Sequence, residues 1–242
     1  MGFNIYLDWL SLSIRFSRKG QKQSTRNECR KQAMNKKQKR EQRFRKEIVY
    51  TNRVCVDSGL IRSSDGNISI RLDDDHFLVT PAGLYKRRLK SKQLLIVNRQ
   101  GEIVKGKGDL KPSSELLMHL EAYHQRKDIR AVLHAHPPYS TALTIAGILF
   151  PTNIVPEIPV LLGEVAAAPY ATPGTQELAL SISDPIKTHD AILLSNHGSL
   201  TVGRTLEGAL LALERMELAA QMYYLASNLG KVIPIPETEV KH

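Results

Sequence analysis

Ile129-Arg130-Ala131-Val132-Leu133-His134-Ala135-His136-Pro137 is the stretch on which the reading of this chain turns. An apolar run of this length, closed by proline, predicts a buried strand over Ile129–His136. Side chains alternate faces along a strand, so His134 and His136 point the same way while Leu133 and Ala135 face the other. Two imidazoles side by side at a strand end suit a metal ion equally as well as a hydrogen-bonded pair. The motif alone leaves both readings open.

A buried strand needs neighbours on both edges. Upstream, Asn67–Leu72 and His76–Thr80 read as strands around the acidic turn Asp73–Asp75, and Leu94–Val97 with Glu102–Lys105 read as a hairpin over Asn98–Gly101. Downstream, Ile158–Leu162 reads as a strand, and Ala191–Ser195 with Ser199–Val202 as a pair bent at Asn196-His197-Gly198. Helices are expected over Arg45–Ser58 (ended by Gly59), Glu115–Gln125, Tyr139–Ala146, Thr175–Ser183 and Leu206–Leu229. Pro112 and a capping Ser113 or Ser114 mark the start of the second. On the last, Leu211, Leu218, Met222, Leu225 and Leu229 share one face and are candidate core positions. Strands and helices mix without regular βαβ alternation. The fold class expected is α/β, one domain, with a central mostly antiparallel sheet flanked by helices.

The chain has 242 residues and a formal charge of +10, but the charge is uneven. Residues 1–46 carry 14 Lys and Arg against Asp8, Glu28 and Glu41, a net of +11, whereas 47–242 come to −1. The basicity is a property of the tail. Residues 1–46 are therefore expected to be a disordered basic extension, and 47–242 the folded domain. Few aromatics interleave with the tail charges, so no nucleic-acid partner is expected. Met34 precedes a basic, helix-permissive stretch and is a candidate natural start, which a native peptide from before it would exclude. Cys29 and Cys55 form no framework, no apolar run reaches 18 residues, and positive charges follow the first apolar run rather than precede it. These features point to a cytoplasmic protein without a membrane span.

Three polar clusters interrupt the apolar pattern. His134 and His136 form the first. The second is Leu194-Ser195-Asn196-His197-Gly198, where a strand delivers His197 into a turn whose Gly198 permits an unusual backbone angle. With the first pair it makes a three-histidine set with an open position, a known catalytic arrangement for Zn²⁺. Three neutral ligands leave the ion its full charge as a Lewis acid. The third is Lys111-Pro112-Ser113-Ser114-Glu115, where a helix start favours an anion. Glu115 and His119 lie four apart on one helix face, and Glu115 could be a fourth ligand or a general base. Asp65-Gly66-Asn67-Ile68-Ser69 and Thr80-Pro81-Ala82-Gly83 are turns that could offer N–H groups to a phosphate.

Taken in order, G-N-I-S at 66–69, T-P-A-G at 80–83, P-S-S-E at 112–115, H-A-H at 134–136, A-P-Y-A-T-P-G-T at 168–175 and N-H-G at 196–198 resemble the class II aldolase/adducin family, especially L-fuculose-phosphate and deoxyribulose-phosphate type aldolases. The resemblance covers about residues 45–232. It implies that His134, His136, His197 and Glu115 are metal ligands, for Zn²⁺ or alternatively Mn²⁺, with Glu115 also the catalytic acid/base. It further implies that Asn67, Gly83, Ser113 and Ser114, with Ser64 as a further candidate, bind substrate phosphate. The implied fold is a single α/β domain in a homotetramer with interfacial active sites. The implied reaction is aldol cleavage of a ketose 1-phosphate to dihydroxyacetone phosphate and an aldehyde.

Ala82 departs from the family's hydroxyl residue, and no tyrosine stands near 155–157 to protonate the departing aldehyde. The related 4-epimerases resemble K-P-S-S followed by Asp rather than Glu115, and the dehydratases vary the P-S-S stretch. A non-catalytic adducin-like interaction module keeps the fold without the metal site, whereas all three histidines and Glu115 stand here.

Overall fold

The strand at the heart of the sequence sits at the centre of the sheet. In the computed structural model, which describes Gln32 and residues 34–240, Ala131–Ala135 (β5) is buried throughout. Asn67–Arg71 (β1) pairs antiparallel on one side of it and Gly198–Gly203 (β8) on the other. Beyond β1 lie His76–Val79 (β2), Leu95–Asn98 (β3) and Ile103–Lys105 (β4). Beyond β8 lie Ala191–Leu194 (β7) and Val165–Ala168 (β6). The order is β4-β3-β2-β1-β5-β8-β7-β6, antiparallel except for the β6–β7 pair.

Apolar alternation along each strand feeds two cores. Ile68, Ile70, Leu133 and Ala135 pack on one face with Phe44, Ile48 and Cys55 of the helix over residues 44–57 (α1) and with Leu206, Leu210, Leu213 and Met216 of Leu206–Leu229 (α6). Val132, Ile192 and Leu200 face Leu116, Met118 and Ala122 of Leu116–Gln125 (α2) and Leu178 of Gln176–Ser181 (α5). Burial of each such Leu or Ile contributes roughly 1.5–3 kcal/mol. Pro138–Ile145 (α3) packs on α6.

Two expectations change. Ile158–Leu162 is not a strand: Glu157–Leu161 is a short helix (α4). Pro159 falls within its first turn, where a missing N–H costs nothing. The strand in this region is β6, whose alanine-rich sequence carries little strand signal. On α6 the stripe of Leu211, Leu218, Met222, Leu225 and Leu229 is not core but exposed, while Leu206, Ala209, Leu210, Leu213, Met216 and Ala220 are buried. The small alanines let the helix approach the sheet closely, so the leucine-rich side faces outward. The last short helix, Glu237–Val240 (α7), follows.

Residues 44–240 form one compact unit. Residues 34–43 are helical. Phe44 and Arg45 are buried, and Arg45 Nη1 donates to the carbonyls of Ser91 (2.9 Å) and Leu94 (2.8 Å). The expectation of a disordered extension, and that of a start at Met34, fall chiefly on residues outside those described. Among the described residues no helix is long and apolar enough to cross a membrane.

Candidate metal centre

Register builds the site. Asn67 of β1 pairs with His134 of β5, which pairs with Leu200 of β8. Because Val132 faces the α2 core, His134 faces α2 as well, as do Asn67 and Ser69. His136 follows the end of β5, and His197 immediately precedes β8. The three rings converge with centroids 4.8–5.0 Å apart, and one nitrogen from each lies within 4.8 Å of the others. The sequence-predicted triad is therefore one cluster.

Two glycines permit this approach. A Cβ on Gly198 would clash with the Ala135 carbonyl and come within 2.8 Å of His136 Cδ2, and one on Gly66 would meet the His134 carbonyl at 2.9 Å. The left-handed residue of the N-H-G turn is Asn196 (φ 56°) rather than Gly198. Asparagine tolerates that conformation, and Gly198 is required for the close approach of two strands.

Glu115 completes the cluster from α2. Its Oε2 is 3.1 Å from His134 Nε2, and its Oε1 is 3.0 Å from His197 Nε2. Helix α2 starts one residue later than expected, with Glu115 at the cap position and no side-chain cap. Instead Ser113 Oγ accepts from the Glu115 N–H at 3.3 Å. Burial pushes the Glu115 carboxyl up, but contacts with His134, His197 and Asn67 outweigh it and hold the group well below the usual carboxylate range. Burial, with the neighbouring His134 and His197, lowers His136 to about 4 and so favours its neutral, ligating form.

The donor set fits a divalent cation. His134 Nδ1–H donates to the Ser199 carbonyl at 2.8 Å, which leaves the Nε2 lone pair aimed at the cluster. That Nε2 lies 3.0 Å from His136 Nε2. Glu115 Oε1 is buried without a hydrogen bond despite its closeness to His197. Lone pairs of several acceptors thus converge on one point, an arrangement that a cation relieves. Three imidazoles and a carboxylate suit Zn²⁺.

A second layer runs behind Glu115. Asn67 Nδ2 donates to Glu115 Oε2 (2.8 Å) and to Ser113 Oγ (3.0 Å). Its Oδ1 must then accept from His119 Nε2–H. His119 Nδ1 accepts from Ser69 Oγ at 2.7 Å, and Ser69 Oγ lies 2.9 Å from the Tyr123 hydroxyl. Burial and nearby His134 lower His119 to about 3, so it is neutral, as this tautomer needs. Sequence reasoning noted that His119 shares a helix face with Glu115 but gave it no part. The signal was there: Glu115, His119 and Tyr123 recur every four residues on α2, and Asn67 and Ser69 alternate on β1. Glu217 of α6, also missed, accepts from the N–H groups of Tyr139 (2.9 Å) and Ser140 (2.8 Å), anchoring the chain just beyond His136.

The remaining predicted residues surround this centre. Ala82 N–H donates to the Lys111 carbonyl at 2.9 Å, and Pro81 bridges Pro112, which ties the 80–83 turn to the 111–115 segment. Gly83 is exposed with φ 69°. Ser114 is exposed beside Gly174, where a Cβ would come within 3.1 Å of the Ser114 Cβ. Ser64 is exposed in the loop before β1.

An α/β domain carrying a three-histidine, one-carboxylate centre at its strand ends defines a class of metal-site proteins. Residues 46–224 match the model of the class II aldolase and adducin N-terminal domain, and the chain belongs to that family. It is 36% identical over 203 residues to a 5-deoxy-D-ribulose 1-phosphate aldolase of Bacillus thuringiensis serovar kurstaki, covering 83% of this chain and 93% of that protein. It is 32% identical over 198 residues to a 3-oxo-tetronate 4-phosphate decarboxylase of Haemophilus influenzae, covering 80% of this chain and 92% of that protein. A solved L-fuculose 1-phosphate aldolase matches with a TM-score of 0.74 at 32% identity, over 81% of this chain and 92% of that one.

Proposed function

We propose that this chain is a divalent-metal-dependent lyase that cleaves a ketose 1-phosphate to dihydroxyacetone phosphate and an aldehyde, with residues 47–242 as its catalytic domain. The observation that carries the reading is the convergence of His134, His136, His197 and Glu115 beside Asn67 and Ser113. A zinc or manganese ion bound there would supply Lewis acidity, stabilising negative charge on adjacent substrate oxygens. Asn67, Ser113, Ser114 and the N–H of Gly83, with Ser64 beside them, would hold the phosphate, aligning the scissile bond with remote binding energy. Glu115 would move the proton at the carbon left by bond cleavage, its carboxylate held by Asn67.

A decarboxylase reading has its own support in the relative of that name. Both reactions break a carbon–carbon bond and leave charge beside a carbonyl, so the same centre serves either. The chain has no tyrosine at 155–157 to protonate a departing aldehyde oxygen, and a decarboxylase needs none.

We further propose a homotetramer with active sites at subunit interfaces, to which the exposed stripe on α6 would contribute. A cytoplasmic location belongs to the same reading and rests on the absence of a cysteine framework. The test is metal analysis of purified protein joined to product assays. Stoichiometric zinc or manganese with triose-phosphate release from ketose 1-phosphates is expected. Release of carbon dioxide together with dihydroxyacetone phosphate from 3-oxo-tetronate 4-phosphate, with no cleavage of ketose 1-phosphates, would move the chain to the decarboxylase reading. Protein without metal or turnover would remove both.

A further inference from the structure

Lys86 is 2% exposed, and among the described residues no hydrogen bond or ion pair holds its ammonium, whose nitrogen is not itself sealed from solvent. A buried charge without a direct partner is costly. The cost is visible in the group itself, which burial lowers to about 8 against the longer-range attraction of Asp65 and Glu115. The backbone holds it in place. Lys86 N–H donates to the Ser63 carbonyl at 2.9 Å, and its own carbonyl accepts from Asn52 Nδ2 at 2.7 Å inside the core. Lys86 therefore joins two segments proposed to cradle phosphate: the loop of Ser64 and the turn ending at Gly83. That turn carries Ala82, which has no hydroxyl to offer.

We propose that Lys86 is the cation of the phosphate subsite, its ammonium pairing with the phosphate dianion of the substrate. The proposal rests on the sugar-phosphate reading and adds a charge to a cradle otherwise made of neutral donors. Service to Glu115 alone is a weaker account. That carboxylate already has His134, His197 and Asn67, and a divalent ion beside it would repel an ammonium. An ammonium is also a compact point charge that suits a phosphate without needing a planar partner.

Calorimetric titration of the metal-loaded protein with inorganic phosphate, against chloride at equal ionic strength, tests this in wild type, Lys86→Met and Lys86→Arg. Loss of a charge-assisted contact should weaken phosphate binding at least about tenfold in Lys86→Met. Metal stoichiometry should be unchanged, and Lys86→Arg should recover part of the affinity. Removing a buried unpaired charge should leave folding intact, and Lys86→Gln serves if Met proves insoluble. Equal phosphate affinity in wild type and Lys86→Met would overturn the role of Lys86 and leave the sugar-phosphate reading standing. Metal loss along with phosphate would overturn it too, making Lys86 a support for Glu115. A wild type that binds no phosphate would remove both readings together.

Discussion

At the ends of β1, β5 and β8 polar side chains are held from several directions by the same chain, whereas along the outer side of α6 apolar side chains face outward with nothing among the described residues to cover them. Glu115 is met by two imidazoles and an amide, and that amide is in turn held by His119. On α6, Leu218 is 49% and Leu225 50% exposed. The first region holds its buried polar groups by contacts among themselves, a costly arrangement that fits chemistry. The second leaves apolar side chains exposed, as a surface that takes a partner does. Each can be attacked separately.

The largest effect should come from a histidine ligand. His134→Ala or His197→Ala should lose metal by more than the roughly 10–100-fold that loss of an outer partner costs. Activity should vanish while far-UV circular dichroism persists. Full turnover in a metal-free variant would show that the cluster is not the active centre. Next comes Glu115→Gln, which should retain metal but lower kcat about 100- to 10,000-fold. Unchanged kinetics would leave Glu115 as a ligand only.

The network behind Glu115 should give a graded response. His119→Phe leaves Asn67 Oδ1 buried and unpaired and takes from the Ser69 hydroxyl one of its two partners, at a cost of about 1–3 kcal/mol in stability. It should also lower kcat/KM by about tenfold or more with metal content unchanged. Tyr123→Phe, one step further out, should lose less, because Ser69 can still donate to His119. Equal losses would mean that both act only through folding. Acid supplies a second readout. His119 is lowered to about 3 from an ordinary 6.5, so below about 6.5 the unfolded chain binds a proton that the folded one does not. Stability therefore falls as pH drops from 6.5 toward 3. Part of that slope should vanish in His119→Phe, as urea unfolding across this range would reveal.

The two regions also differ in how far the sequence could be read. His134, His136 and the central strand were legible because strand alternation is a local rule, whereas His197 and Glu115 joined them through the order of motifs that resembles the family. The meeting of β1 with β5 was not, because the register that sets Asn67 beside His134 is a long-range fact. Lys86 went unremarked, since nothing local in Lys86-Arg87-Arg88 says that its first residue is buried. On α6 the error came from weighing side chains by size. Leucines marked the expected core, whereas alanines at 209, 212, 219 and 220 mark the close-packed side. Ile158–Leu162 failed for a related reason: a short apolar run does not distinguish strand from helix.

The smallest effect on the protomer itself should come from the outer side of α6. Leu218→Glu with Leu225→Glu alters exposed positions, so the stability of an isolated chain should move by only about 0.5 kcal/mol per site. Metal content should stay at the wild-type value, because neither residue touches Glu115 or the histidines. Association is where the change should appear. Four carboxylates facing one another across a two-fold contact repel, and the species seen in sedimentation should shift to a smaller one. If turnover falls with it, the partner subunit contributes to the site, which fits a protomer that brings no tyrosine near 155–157. If the smaller species keeps full turnover, the site is complete within one chain and the interface is only a scaffold. A double variant that sediments like wild type would show that the exposed stripe covers nothing, and the contrast with the metal centre would then reduce to a difference in surface composition.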